Sequence, residues 1–190
     1  MKTTNIMIVG VGGQGSLLAS KLLGRLLVDE GYDVKVSEVH GMSQRGGSVV
    51  TYVRYGDKVT SPIIDAGEAD FIVSFEKLEG ARYASYLAKD GKIIVNSQMI
   101  DPMPVITGAA TYPTDILDKL AAKGAEIDCF DALAIATEAG SSRAVNIALM
   151  GRLAKYLPIS YDKWIEAIKN TVAPKFVELN EKAFALGYNA

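Results

Sequence analysis

The amino end of the chain carries the feature that most limits its fold: an apolar segment, a glycine-rich loop and then an amphipathic helix. Residues Asn5–Val9 form an apolar run typical of a strand buried on both faces of a parallel sheet. The loop Gly10–Gly15 fits the pattern G-x-G-x-x-G. Leucines at helical spacing then predict a helix over Ser16–Glu30, which Gly31 ends. An opening of this kind predicts an α/β sheet.

Strand and helix patterns alternate along the rest of the chain. Strands are predicted at Val34–Glu38, Ser48–Tyr55 (as a ribbon or an edge), Asp70–Phe75, Lys92–Asn96 and Glu126–Asp131. Helices are predicted at Glu76–Lys89, Thr114–Lys123, Ala132–Glu138, Arg143–Leu157, Ser160–Asn170 and Pro174–Leu186, with Gly187 past the last helical position. The expected fold is α/β: a Rossmann-like, doubly wound, mainly parallel sheet with a glycine-rich first turn and a helical C-terminal third. A single domain is expected over residues 1–190.

Charge and cysteine content exclude several classes of function. The chain has 20 Lys and Arg against 22 Asp and Glu, so no strong field favours nucleic acid or an anionic membrane. No apolar stretch approaches the roughly 18 residues that span a bilayer, so a cytoplasmic protein is expected. Cys129 is the sole cysteine, which excludes an internal disulfide and the thiolate set of an iron–sulfur cluster. It lies in the apolar run Ile127–Phe130 and is predicted to be buried.

The glycine loop has more than one interpretation. Glu38 ends the second strand about where a ribose-binding acid lies in dinucleotide folds, so bound NAD or FAD is one alternative. Contact with another anion is a second, because glycines allow close approach and the following helix terminus favours negative charge. A third is structural, since tight strand-to-helix turns need glycine for packing alone.

The segment Ser37–Ser48 is the most informative part of the chain. It brings together the only histidine, an arginine, a glutamine and several glycines after a strand, on the same rim as the first loop. Arg45 could grip a carboxylate or phosphate beside the amides of Gly46 and Gly47. His40 could carry a proton near neutral pH, or could simply be a hydrogen-bonding residue of a turn.

Three sequence motifs together carry a resemblance to a known family. They are Gly10–Gly15, Ser37–Ser48 and Ala139–Gly151 (AGSSRAVNIALMG), and the ending Pro174–Gly187 extends the similarity over essentially the whole chain. The chain resembles the gamma-type subunits of 2-oxoacid:ferredoxin oxidoreductases, most of all the small subunit of the indolepyruvate enzymes. The resemblance implies a complex that decarboxylates a 2-oxoacid on thiamine diphosphate with Mg²⁺. It also implies electron transfer through iron–sulfur clusters to ferredoxin, and acyl transfer to coenzyme A.

The same resemblance implies a division of labour in which this chain binds none of these cofactors alone. The only near-match to a thiamine motif is Gly56-Asp57-Lys58, interpreted as a turn, and no metal-ligand spacing occurs in the sequence. Larger subunits would carry the thiamine diphosphate and the clusters. Whether the isolated chain forms a homodimer is left open by the sequence. The residues expected to face a cofactor are Gly10, Gly12, Gly13, Gln14, Gly15, Glu38, Gly41, Ser43, Gln44, Arg45, Gly46 and Gly47, with His40 as the one catalytic candidate.

The predicted helix Arg143–Leu157 is apolar on most sides, with Asn146 among apolar neighbours. Asn146 is therefore either a residue of a subunit interface or a hydrogen-bonded residue of an internal helix. Two functions remain open: a subunit of a 2-oxoacid oxidoreductase, or a free-standing Rossmann-type nucleotide-binding enzyme or regulator. The segment Ser37–Ser48 favours the first, because a dinucleotide-binding protein has no evident need for it.

Overall fold

The computed structural model describes residues 2–40 and 47–190, and of His40 it describes the backbone alone. The described strands form one sheet in the order β2-β3-β1-β4-β5-β6. They are β1 (Thr4–Val11), β2 (Asp33–His40), β3 (Ser48–Gly56), β4 (Ala69–Ser74), β5 (Leu87–Asn96) and β6 (Glu126–Phe130). The helices are α1 (Ser16–Asp29), α2 (Lys77–Arg82), α3 (Met103–Ile106), α4 (Ile116–Ala122), α5 (Ala132–Ala139), α6 (Val145–Ala154), α7 (Tyr161–Thr171) and α8 (Val177–Asn189).

The third strand is the one that runs against the others. β3 pairs antiparallel with β2 on one side and with β1 on the other, from Thr4 opposite Tyr55 to Val11 opposite Ser48. The β1–β4, β4–β5 and β5–β6 pairs are all parallel. The mainly parallel sheet is confirmed, and so is the ribbon at Ser48–Tyr55. The edge alternative for that segment is wrong, because β3 is paired on both sides and β2 lies at the edge.

Helices cover both faces of the sheet, as the doubly wound prediction requires. Successive strand residues point to opposite faces, and in β1 Ile6 and Ile8 join a large core with α1, α5, α6, α7 and α8. Met7 and Val9 join a smaller core on the other face, against the segment around α2 and α4. Both faces of β1 are fully buried, which explains its unbroken apolar sequence.

Helices α6 and α8 cross at very short range through two glycines. A Cβ on Gly151 would lie 2.3 Å from the carbonyl oxygen of Phe184, and one on Gly187 would lie 2.1 Å from the carbonyl oxygen of Ala148. The prediction that Gly187 follows the last helix is wrong, because Gly187 is a buried residue inside α8. It serves the helix crossing, where any side chain would strike backbone.

Two further expectations need correction. The helix predicted at Glu76–Lys89 ends at Arg82, and β5 begins at Leu87, which pairs with Ala69. Tertiary pairing with β4 therefore overrides the helical pattern. Cys129 is exposed and not buried, because β6 is an edge strand with a neighbour on one side only. Among the described residues, no helix combines the length and apolar character needed to cross a membrane.

Candidate functional site

The carboxyl ends of β1, β2, β4, β5 and β6 lie along one edge of the sheet, because these five strands run in the same direction. Open α/β sheets bind ligands along this edge, where the strand order reverses between neighbours. Here the reversal falls at β1, since the chain leaves it toward β2 and β3 on one side and returns to β4 on the other. The glycine loop follows β1 directly.

The glycine loop has a backbone shape that other residues adopt only with strain. Gly13 has a φ of +101° and Gly15 a φ of +90°. The loop is joined to the far side of the Ser37–Ser48 segment by a hydrogen bond of 2.8 Å from the amide of Gly12 to the carbonyl of Gly47. At the start of α1 the amides of Ser16 and Leu17 have no partner within the helix. Their dipoles favour an anion at this point.

The loop and the end of β2 share a cavity of about 380 Å³. Its described lining includes Gly12, Gly13, Gly15, Glu38 and Val49. Glu38 therefore reaches the loop, but β3 lies between β2 and β1, about 10 Å across at the usual strand spacing. In a dinucleotide-binding sheet β2 lies directly beside β1. The acid and the glycine loop thus have a different spacing from that of a dinucleotide site.

Several predicted residues cannot be placed. Gly41, Ser43, Gln44, Arg45 and Gly46 lie outside the described residues, as does the side chain of His40.

Gly10 is buried in β1, and a Cβ there would lie 2.9 Å from both Phe75 and the side chain of Gln14. Gly10 makes room for its neighbours inside the sheet and lines neither cavity beside the loop.

Gln14 fixes the glycine loop onto the next two strands. Its Oε1 accepts a hydrogen bond of 2.8 Å from the amide of Val11, and its Nε2 donates to the carbonyl of Phe75 at 3.1 Å and to Gln98 at 3.4 Å. Asn96, which is fully buried, donates to the same two acceptors. This amide network holds the loop against the ends of β4 and β5.

A second cavity of about 450 Å³ lies on the other side of the loop. Gly13, Gln14 and Gly15 form one side, and Gln98 and Arg143 are among the residues opposite. The glycine loop therefore separates two cavities, and polar side chains from distant parts of the chain converge on the second.

Asn146 also acts on the glycine loop. Its Nδ2 donates to the carbonyl of Gly15 at 3.2 Å, and a Cβ on Gly15 would lie 2.9 Å from that nitrogen. The side chain is buried inside the chain, with the residue 4% exposed. The internal alternative therefore accounts for Asn146, which has almost no surface left for a subunit contact.

A buried carboxylate organises the segment beside this edge. Glu76 is 1% exposed and accepts hydrogen bonds from the amides of Glu79 (2.9 Å) and Ile100 (3.2 Å) and from the hydroxyl of Tyr112. Burial, together with the bond to Glu76, raises the pKa of Tyr112 well above its ordinary value. Glu76 thus ties the chain that follows β5 back to the start of α2.

Glu79, three residues along the chain from Glu76, binds Ser48, the first residue of β3. The hydroxyl of Ser48 donates to Glu79 at 2.5 Å, and Arg82 pairs with the same carboxylate at 3.1 Å. The carboxylate of Glu79 therefore holds the start of β3.

Asn96, Gln98, Glu76 and Arg143 were not predicted as site residues from the sequence. Asn96 ends the strand predicted at Lys92–Asn96 and Gln98 follows it by two residues, so the rule that drew attention to Glu38 also applied to them. Glu76 sits between an apolar strand and a helical pattern, where its burial has no signal in a single sequence. Within the described residues no group of three or more His, Cys, Asp or Glu is placed to hold a metal ion.

The fold and the site define a class of protein: an α/β domain with a glycine loop at its sheet edge and an antiparallel ribbon beside the first strand. This fold is shared with a solved keto/oxoacid ferredoxin oxidoreductase gamma subunit from Geobacter sulfurreducens. The two have a TM-score of 0.73 at 21% identity, over 98% of this chain and 96% of that one. The family model described as pyruvate ferredoxin/flavodoxin oxidoreductase matches residues 5–190, and the chain belongs to that family.

Two relatives from one organism, Thermococcus kodakarensis, differ in their likeness to this chain. Indolepyruvate oxidoreductase subunit IorB is 45% identical, over 100% of this chain and 96% of the relative. The pyruvate/ketoisovalerate oxidoreductases common subunit gamma is 27% identical, over 95% of this chain and 92% of the relative. The chain is similar to both along its whole length, and much more so to the first.

Proposed function

We propose that this chain is the small subunit of a 2-oxoacid:ferredoxin oxidoreductase that acts on aryl 2-oxoacids. The observation that carries the proposal is the difference between 45% and 27% identity to two subunits of one organism, with coverage nearly complete for both. The reaction converts the 2-oxoacid and the thiol of coenzyme A to an acyl-coenzyme A and carbon dioxide, with release of one proton and transfer of two electrons to ferredoxin.

The chain's own groups do not fit the redox and thiamine cofactors of such a reaction. An iron–sulfur cluster usually needs four thiolates, and the sequence has one cysteine. The sequence also lacks the Gly-Asp-Gly motif with which thiamine enzymes hold the metal and the diphosphate, and its near-match Gly56-Asp57-Lys58 has a lysine in place of the second glycine. Larger partner subunits therefore supply these cofactors, and this chain is inactive alone.

A phosphate group does fit the glycine loop. The amides of Ser16 and Leu17 lie at the start of α1, next to Gly13, where nothing within 4 Å would meet an added Cβ. In the complex this edge faces coenzyme A or the thiamine diphosphate of the partner. Gly12, Gly13, Gly15 and Glu38 line its first cavity, while Gln14 and Asn146 position the loop.

The test of this function compares the purified chain with the complex obtained by co-expression with its larger subunit. Both samples receive indolepyruvate, coenzyme A, thiamine diphosphate, Mg²⁺ and a dye acceptor. We expect dye reduction by the complex and none by the chain alone. Turnover by the chain alone, or a complex that reduces dye with pyruvate but not with indolepyruvate, contradicts the proposal.

The segment Ser37–Ser48 provides a second test. Arg45→Ala removes a charge-assisted contact of about 1.5–3 kcal/mol, so activity of the complex should fall roughly 10- to 150-fold. Arg25→Ala, which removes an equal charge from an exposed pair with Asp29, is the matched control and should keep full activity. His40→Gln separates proton transfer from hydrogen bonding, because glutamine does not titrate. Full activity in both loop variants, with a lower melting temperature, assigns the segment a structural role.

The alternative of a free-standing nucleotide-binding protein is tested by calorimetry. The position of β3 between β2 and β1 argues against an ordinary dinucleotide site. We therefore expect no micromolar binding of NAD or NADH, and such binding would favour the alternative.

A further inference from the structure

A third cavity, of about 480 Å³, lies behind the glycine loop; it shares Arg143 with the second cavity and is otherwise lined by different residues. It opens between α1, the turn that joins α5 to α6, and the start of α8. Its lining includes the apolar side chains Leu18, Phe176 and Leu179 and the polar residues Ser141, Arg143 and Asn180. Its volume falls in the range of small-molecule sites, about 300–1,000 Å³.

Each polar side chain in the described lining makes at least one hydrogen bond within the chain, except that of Arg143. The Ser141 hydroxyl accepts a hydrogen bond from the Arg143 amide at 3.3 Å, and the Asn180 Nδ2 donates to the carbonyl of Phe176 at 2.7 Å. The guanidinium of Arg143 has no acceptor among the described residues. Arg143 is exposed, and the described lining of the cavity contains no carboxylate that could pair with its guanidinium. A bound anion could therefore pair with it.

A second cation lies close to the same wall. The Lys175 Nζ is 4.9 Å from the centre of the Phe176 ring, and Phe176 keeps 48% of its surface exposed. The mouth therefore carries positive charge, and the interior presents an aromatic ring and two leucines. This combination fits a ligand with one anionic group and an apolar body.

We propose that this cavity binds a small amphipathic organic anion, an aryl carboxylate, whose carboxylate pairs with Arg143 while its ring packs against Phe176, Leu179 and Leu18. Arg143 presents a planar fork that matches a carboxylate bidentately. Of the cavity's described lining, Asn146 also touches the carbonyl of Gly15. Asn146 therefore connects a ligand in this cavity to the glycine loop.

The experiment titrates the full chain with indole-3-acetate by calorimetry and by NMR chemical shifts. At the affinity typical of ligands of this size, saturable binding is expected with a Kd on the order of 1 mM or tighter. Indole, which lacks the carboxylate, and acetate, which lacks the ring, should each bind at least tenfold more weakly. No saturation by indole-3-acetate at several times that concentration overturns the proposal.

Variants assign the binding to this cavity. Arg143→Gln should weaken indole-3-acetate at least tenfold, and Phe176→Ala should weaken it in the same direction. Lys123→Gln, which changes the net charge equally at the end of α4, is the matched control and should bind like the original chain. Equal binding by Arg143→Gln overturns the proposal, as does stronger binding of ADP than of indole-3-acetate in competition. These measurements use no partner subunit, so their failure leaves the proposed oxidoreductase function standing.

Discussion

The crossing of α6 and α8 gives the sharpest test of the packing, through Gly187→Ala. The added Cβ would lie 2.1 Å from the oxygen, 2.7 Å from the carbon and 2.8 Å from the Cα of Ala148. All three atoms are backbone, so no side-chain rotation can relieve the contact. The helices must move apart by roughly 1 Å, because carbon atoms normally pack about 3.5–4 Å apart.

The net cost follows from two opposing effects. Alanine is favoured over glycine inside a helix by about 1 kcal/mol, while overpacking costs about 1–3 kcal/mol and occasionally more. A contact entirely with backbone belongs at the upper end, so we expect a net loss of about 2 kcal/mol in the free energy of unfolding. In a chain of this size that lowers Tm by roughly 4–8 °C.

Gly24→Ala is the matched control, because Gly24 also lies inside a helix but has space around it. Its added Cβ would meet only a methyl group of Val36, at an ordinary 3.6 Å. This variant should be stabilised by about 0.5–1 kcal/mol. Urea unfolding followed by far-UV circular dichroism measures both. A Gly187→Ala variant within about 0.5 kcal/mol of the original chain would refute the close crossing.

Three smaller predictions concern single side chains. Asn146→Ala removes the bond to the carbonyl of Gly15 and should cost about 1 kcal/mol in urea unfolding, with no loss if the bond does not form. Burial alone would raise the pKa of Asp128, but hydrogen bonds led by that from Arg152 hold it below its ordinary value. The contribution of Asp128 to the free energy of unfolding should therefore be complete above about pH 4 and be lost as the pH drops through the lowered pKa. Asp128→Asn should flatten this pH dependence in acid titrations. Although residue Cys129 is exposed, its sulfur is partly covered by the chain around it, and this loss of hydration raises the pKa of the thiol. Its labelling by iodoacetamide should therefore be slow at pH 7 and accelerate toward pH 9, and fast labelling at pH 7 contradicts this.

The sequence was a good guide where a signal is local. The apolar run of β1, the leucines of α1 and the glycine between them are consecutive, so periodicity alone locates the opening of the fold. Glu38 was correctly expected near the glycine loop, because the carboxyl ends of β2 and β1 lie at the same edge of the sheet. Local pattern was also sufficient for most of the C-terminal helices.

The errors share a non-local cause. Whether Cys129 is buried depends on whether a seventh strand lies beside β6, and nothing near Cys129 in the sequence records that. Gly187 ends no helix because Ala148 lies against it from a different helix. The part that Gln14 plays in holding the loop is also non-local, because its amide donates to Phe75 and Gln98, which are distant in sequence.

The position of β3 affects how the chain can fold during synthesis. β1 leaves the ribosome before both of its neighbours, β3 and β4, so it has no partner in this sheet until residues 48–56 have been made. The ribbon of β2 and β3 is a local hairpin and can close early, since contacts near in sequence cost little loop entropy. β1 pairs with this hairpin only after β3 has been made. Until then α1 can cover one apolar face of β1, and the other face stays exposed. The nascent chain therefore exposes an aggregation-prone strand during this interval, a period in which a chaperone would have most to protect.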